Sequence, residues 1–293
     1  MPPASHGALR LGRQTFGVDD LVVMAIVNRT PDSFFAGART FGLTEALERA
    51  DQVIEEGAAI VDIGGVKAAP GEEVDESEEA RRVIEVIAGV RERHPDVVIS
   101  VDTYRASVAD LACQAGADLV NDAWGGWEPE VAHAAARHGA GLVCTHAGGL
   151  PPRTRPHRVE YADVTAEVRK TVTSLAEQAV AAGVRPDGIV IDPGHDFAKN
   201  TRQSLEVTRR LPELVDTGWP VLVALSRKDF IGETLDLPTD ERLEGTLAAT
   251  AVCAWLGARV FRAHDVPATL RVLRTVSAIR GTGVIASAKR GLA

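Results

Sequence analysis

Four side chains able to grip a flat, nitrogen-rich ring stand at or just after the ends of separate apolar segments: Asp102, Asn121, Asp192 and Lys228. A pair of carboxylates can hold a metal, exchange protons, or accept hydrogen bonds from an amidine-like heterocycle edge. Asn121 adds a donor and an acceptor, and Lys228 supplies a strong donor for a carbonyl oxygen. Each aspartate also suits the N-cap of a following helix. A second group, Asn28, Arg262 and His264, fits a phosphate-bearing ligand. Arg262 and His264 are two apart on one extended segment and therefore share a side, as a small cationic fork. Each charge-assisted hydrogen bond contributes roughly 1.5–3 kcal/mol, so a few convergent donors hold a phosphate. The alternative for Arg262 is an ion pair with a nearby acid such as Asp265. Cys144 and His146 also share a face, but two residues do not make a zinc site.

The segments that must position these groups are eight short apolar runs: LVVMAIVN (21–28), AAIVDIGG (58–65), VVISVD (97–102), ADLVND (117–122), AGLVCTH (140–146), GIVIDPG (188–194), PVLVALS (220–226) and ARVFRAHD (258–265). Their ends also carry Asp122, His146 and Ser226. Helical patterns over 43–56, 75–94, 105–115, 128–138, 160–182, 201–215, 241–256 and 266–280 alternate with them. Eight right-handed βαβ steps predict a single α/β domain over 21–280, a closed (β/α)8 TIM barrel whose reactive residues project from the C-terminal strand ends. Long connections at 29–42, 66–74 and 147–159 then fall on that face as candidate lids. Residues 1–20 read as a loose lead-in and 281–293 as a frayed tail.

Composition narrows the class of partner. The net charge of −9 argues against general nucleic-acid affinity, so any bound anion must be held locally. No apolar stretch reaches the length of a membrane span, and the first twenty residues lack a signal-peptide core. Three cysteines with no CxxC spacing, Cys113, Cys144 and Cys253, fit a reducing cytoplasm.

Six ordered blocks carry a family resemblance from about Leu21 to Arg280: MAIVNRTPDSF, VDIGG with its following PG, SVDTYRASVADLACQAGADLVND, IDPGHDFAKN, SRKDFIGETL and RAHDV. The chain resembles the dihydropteroate synthases, pterin-binding barrels of folate synthesis. That resemblance implies a pterin slot lined by Asp102, Asn121, Asp192 and Lys228, with Phe197 a further substrate contact. It also implies that Asn28, Arg262 and His264 hold the pyrophosphate, Asn28 with Mg²⁺ as the metal. Asp102, Lys228, Arg262 and His264 would be the catalytic residues. Such enzymes join a pterin methyl diphosphate to 4-aminobenzoate, and the resemblance further implies a homodimer formed through the last helices. The 266–280 stripe of Val266, Leu270, Val272, Leu273, Val276 and Ile279 could serve that contact or face the barrel.

The departures from the family pattern concern the second substrate. Where the family usually reads GGESTRPG, this chain reads GGVKAAPG, so a Thr and an Arg become Ala68 and Ala69, with Lys67 and Arg29 as possible replacements. Asp229 stands after Lys228 where the family has Ser or Arg, and a negative charge there opposes the aminobenzoate carboxylate. Thr145 and Ala147 depart from a Met-rich block. With VNRTPDSF and GGLPPRTRPHR, the chain is similar to the divergent second dihydropteroate synthase paralogue of actinobacteria. Three readings follow: a working synthase, an inactive or repurposed pterin pocket, and a related pterin-barrel methyltransferase. The methyltransferase is the weakest, having no need of the Arg262–His264 fork.

Overall fold

A computed structural model describes residues 7–30, 42–68, 71–149, 151–154 and 159–287. All eight expected strands form: β3 (Val22–Asn28), β4 (Ile60–Gly64), β5 (Val98–Asp102), β6 (Leu119–Asp122), β7 (Gly141–Thr145), β8 (Ile189–Asp192), β9 (Leu222–Ala224) and β10 (Val260–Ala263). They pair in parallel in the order β8-β7-β6-β5-β4-β3-β10-β9. The ring closes through a parallel bridge between Ile191 and Val221, where the Ile191 N–H donates to the Pro220 carbonyl at 2.9 Å. This is the (β/α)8 barrel that the alternation predicts.

Strand periodicity divides the core in two. Met24, Ile60, Leu119, Val143, Leu222 and Val260 fill the barrel interior. Their neighbours Val23, Val61, Val120, Ile191 and Phe261 point outward beneath the helices. Those helices are α1 (Leu43–Glu55), α2 (Glu76–Arg93), α3 (Ala106–Ala115), α4 (Glu130–Arg137), α5 (Val164–Ala181), α6 (Thr201–Arg209), α7 (Pro212–Val215), α8 (Asp229–Leu235), α9 (Leu243–Trp255) and α10 (Val266–Arg280). Caps fix several starts: Asp75 accepts from Glu78 N at 2.8 Å, and Asn200 with Gln203 forms a reciprocal capping box. Pro212 splits the single helix expected over 201–215, because proline has no N–H for an interior turn.

The lead-in is a correction. Among its described residues, β1 (Leu9–Leu11) and β2 (Gln14–Phe16) form an antiparallel hairpin across the bottom of the barrel. Leu9 and Leu11 are buried among the interior side chains. Arg259 fastens the hairpin by donating to the carbonyls of Gly7 and Phe16 at 3.2 Å each and to that of Gly17. An open barrel end would expose the lowest interior layer, and two leucines remove it from water.

The last helix divides its stripe as geometry demands. Val266, Leu273 and Val276 are buried against the barrel, Leu270 and Val272 are partly buried, and Ile279 is 68% exposed. Most of the stripe therefore serves the core of this subunit. None of the described helices is long and apolar enough to cross a membrane.

Candidate active site

Parallel register sets the floor of the site. Asn28 pairs with Gly64, Gly64 with Asp102, and Asp102 with Asn121, so these residues form one rung across four strands at the C-terminal mouth. All of them share the inward parity of the interior core side chains two or four residues earlier. Gly64 keeps the rung open: a Cβ there would lie 2.9 Å from Asn28 Oδ1 and 3.5 Å from Asp102 Cβ. The same parity brings Asp192 and Arg262 to the mouth, with Ser226 and His264 just beyond their strands.

Beneath the rung lies a charge that the sequence analysis did not single out. Asp62, midway along β4, is fully buried. Its Oδ1 accepts from Ser100 Oγ at 2.6 Å. Its Oδ2 accepts from Arg262 Nε at 2.6 Å and from Asn121 Nδ2 at 3.2 Å. The Arg262 guanidinium extends from there to Asp102, donating from Nη2 to Oδ2 at 2.7 Å. Arg262 is thus held between two carboxylates, and Asp265 pairs instead with Arg227, at 3.1 and 3.2 Å. Burial pushes the Asp102 carboxyl upward against the pull of Arg262, and the charge of Asp62 adds to the rise.

The expected cationic fork is half cationic. Burial, then the charge of Arg262, lowers the His264 pKa to about 4, so its imidazole is neutral at pH 7 and serves as a hydrogen-bonding group. Its backbone N–H donates to Ser226 Oγ at 3.3 Å.

Across the mouth, Asp192 closes β8 and accepts from Gly194 N at 2.7 Å through Oδ1, so it also organises its own turn. Burial raises its pKa while Lys228 opposes the rise. Lys228 donates from Nζ to the His195 carbonyl at 2.5 Å and lies 5.0 Å from the Phe197 ring centroid. Burial lowers the Lys228 pKa, and the charges of Asp196 and Asp192 resist that. Trp124 packs edge-on to Phe197 at 5.2 Å. Asp122, by contrast, faces away and accepts from Trp124 N at 3.0 Å and Gly126 N at 2.7 Å, the turn-capping alternative for a strand-end aspartate.

The loop carrying Phe197 is fixed by a second residue that the sequence reading passed over. Lys199 is buried and donates from Nζ to His146 Nδ1 at 2.7 Å and to the carbonyls of Gly194 and Phe197 at 3.0 Å each. Burial brings its pKa down to about 7 and that of His146 to about 3. His146 is therefore a neutral acceptor in this contact. Cys144 points into the core beneath the helices.

The departures in the loops acquire positions. Arg29 turns outward onto α2, donating to the carbonyls of Arg81 and Arg82 at 3.3 and 3.2 Å and pairing with Glu85 at 3.0 Å. One residue after Asn28, Arg29 has the opposite parity, which directs it toward α2. Lys67 and Ala68 line a narrow cleft beside Asp102 with Tyr104, Trp124 and Arg153. Ala69 lies outside the described residues, as do 31–41, 150 and 155–158 of the candidate lids. Asp229, the first residue of α8, is 82% exposed and pairs with Arg242 at 2.9 Å, which offsets part of its charge.

The rim thus combines inward carboxylates, an amide and an ammonium over an aromatic ring with an arginine and neutral histidine beside Asn28. That set suits a planar donor-bearing ring attached to an anion. The profile of the family described as pterin binding enzymes matches residues 24–264. An "inactive dihydropteroate synthase 2" of Mycobacterium leprae (strain TN) is 53% identical over 279 residues, 94% of this chain and 96% of that protein. The dihydropteroate synthase of Bacillus subtilis (strain 168) is 42% identical over 264 residues, 89% of this chain and 90% of its own. Among solved structures, the Xanthomonas albilineans dihydropteroate synthase with 4-aminobenzoic acid superposes with a TM-score of 0.84 at 34% identity, covering 93% of this chain and 98% of that one.

Proposed function

This chain belongs to the pterin-binding enzyme family, and from that premise we propose that its mouth binds a 7,8-dihydropterin-6-ylmethyl diphosphate. The ring lies against Asp102, Asn121, Asp192, Phe197 and Lys228, and the diphosphate lies toward Asn28, Arg262 and His264. The observation that carries this reading is the rung of Asn28, Gly64, Asp102 and Asn121 joined through Asp62 to Arg262. It sets ring-binding acceptors beside an anion-binding guanidinium in one continuous hydrogen-bonded unit.

The reaction supported by such a site is the condensation with 4-aminobenzoate. The pterin C–O bond breaks, its electron pair leaves with pyrophosphate, the arylamine nitrogen bonds to the methylene carbon, and the amine gives up a proton. Arg262 faces the charge that grows on the leaving diphosphate, so its interaction strengthens toward the transition state. Asp102 and Asp192 favour the cationic ring left behind. Magnesium fits the donor set: Asn28 offers one amide oxygen at the mouth, and diphosphate and water would supply the remaining oxygen ligands. Bound there, Mg²⁺ would supply charge neutralisation for the leaving group.

A second reading keeps the pterin pocket and gives up the aminobenzoate chemistry. Ala68 beside the cleft and Asp229 at the head of α8 support it. So does the M. leprae relative described as inactive. Isothermal titration of the pterin diphosphate with and without Mg²⁺, followed by 4-aminobenzoate and a pyrophosphate-release assay, separates the two. Binding with release supports the synthase, binding without release supports the inactive pocket, and no binding of any pterin overturns both.

The same reading carries a homodimer through the last helices, supported by Val252, Trp255 and Ile279, which are 49%, 59% and 68% exposed on α9 and α10. A cytoplasmic location is in keeping with three buried free thiols. Sedimentation of the purified chain tests the dimer.

A further inference from the structure

Asp62 is fully buried beneath the mouth, and on the reading above it touches neither end of the ligand. Its three side-chain donors come from three other strands: Ser100 on β5, Asn121 on β6 and Arg262 on β10. A carboxylate with no exposure to water needs such donors, and here one of them is the guanidinium already in contact with Asp102. The planar guanidinium, held through Nε on Asp62 at 2.6 Å, points Nη2 at Asp102 in the ligand-free protein.

We propose that Arg262 is shared between the two ends of the site, so that filling the diphosphate end raises affinity at the ring end, and the reverse, with Asp62 the positioning residue that limits how tightly Asp102 holds it. The inference rests on the proposed ring and diphosphate positions. In the ligand-free protein, Asp102 divides its accepting capacity between Arg262 and whatever ring donor arrives. A diphosphate that draws Arg262 toward itself returns Asp102 to the ring. A ring that engages Asp102 loosens its hold on Arg262 and returns the guanidinium to the diphosphate. Through both movements Asp62 stays on Nε as the counter-charge, so Arg262 pivots and is never left buried without a partner. Reciprocity between the two ends follows from linkage.

The experiment uses the full chain, with 6-hydroxymethyl-7,8-dihydropterin and inorganic pyrophosphate as separate probes, each titrated alone and in the presence of the other with Mg²⁺. The expected result is a mutual enhancement of at least about fivefold, the lower end of ordinary coupling. Asp62→Asn is expected to enlarge that ratio while weakening binding of the pterin alone. With Asp62 neutral, Asp102 is the sole carboxylate in contact with Arg262 and holds it more tightly. An enhancement from direct contact between the two ligands would be unchanged by Asp62→Asn, and that result overturns the inference. Should Asp62→Asn fail to fold, Arg262→Gln decides, because the ratio must then fall to within about twofold of one. Wild-type protein that binds both probes with no mutual effect refutes the coupling alone. Protein that binds neither refutes the proposed function instead.

Discussion

The substitution Asp192→Asn tests the ring end with little change of shape. Asp192 is 6% exposed, and its Oδ1 accepts from Gly194 N at 2.7 Å. Asparagine keeps that bond with its carbonyl oxygen and places an amino group where Oδ2 stood. A ring amino edge then meets a donor in place of an ionised acceptor. Losing a charged hydrogen bond costs about 1.5–3 kcal/mol, and leaving the ring donor unpaired adds about 1–3 kcal/mol. A total of about 2.5–6 kcal/mol corresponds to a loss of affinity of roughly seventyfold to twenty-thousandfold.

Calorimetric titration of the pterin diphosphate gives the affinity, and thermal unfolding gives the control. The variant removes a charge whose burial is itself unfavourable while preserving the Gly194 turn. It also takes a counter-charge from buried Lys228 and Lys199, with Asp196 left to balance them, so the melting temperature is expected to fall modestly with the fold retained. A loss of affinity below about threefold with the fold retained would refute the placement of the ring against Asp192. A large loss together with a collapse in melting would show that Asp192 acts through the fold, and would refute it equally.

Three further outcomes are expected. Leu11→Ala, at a fully buried position of the bottom hairpin, should lower unfolding stability by about 2–5 kcal/mol in urea titrations, against almost nothing for a truly loose lead-in. His146 is neutral with its pKa near 3 where the unfolded chain titrates near 6.5, so the unfolded state binds more protons across that window and stability falls as pH drops below 6.5. His146→Gln should flatten this fall by about 1.4 kcal/mol per pH unit between roughly pH 6 and 4, read from urea midpoints. Asp229→Ser should cost under about 1 kcal/mol, because the Asp229 side chain is 82% exposed in its pair with Arg242. Combined with Ala68→Thr and Ala69→Arg it should raise pyrophosphate release with 4-aminobenzoate, and no gain would place the deficiency elsewhere.

What the sequence disclosed follows from which signals are local. Eight apolar runs ending in polar residues reveal the barrel and its mouth, because a parallel strand buried on both faces has a dense apolar signature and its C-terminal end carries function. The bottom hairpin escaped because two three-residue strands around Gly12 lie below the length at which alternation is distinct from chance. The seven-residue α8 is comparably short and fell outside the helical patterns.

Two features of the site had a usable signal in the sequence. Asp62 interrupts an apolar run two residues before Gly64, and a charge with inward parity inside a strand must be paired, so the residue announces a partner even though its identity as Arg262 depends on tertiary structure. Arg29 follows Asn28 by one residue, and a single step reverses the face, which sends its guanidinium to α2 when Asn28 points to the mouth. The neutrality of His264 had no such signal. It arises from burial beside Arg262, a property of the assembled rim that strand parity alone does not carry. On the proposed function, anion recognition therefore falls on Arg262, whose charge is already divided between two carboxylates, and this division is the basis of the coupling proposed between the two ends.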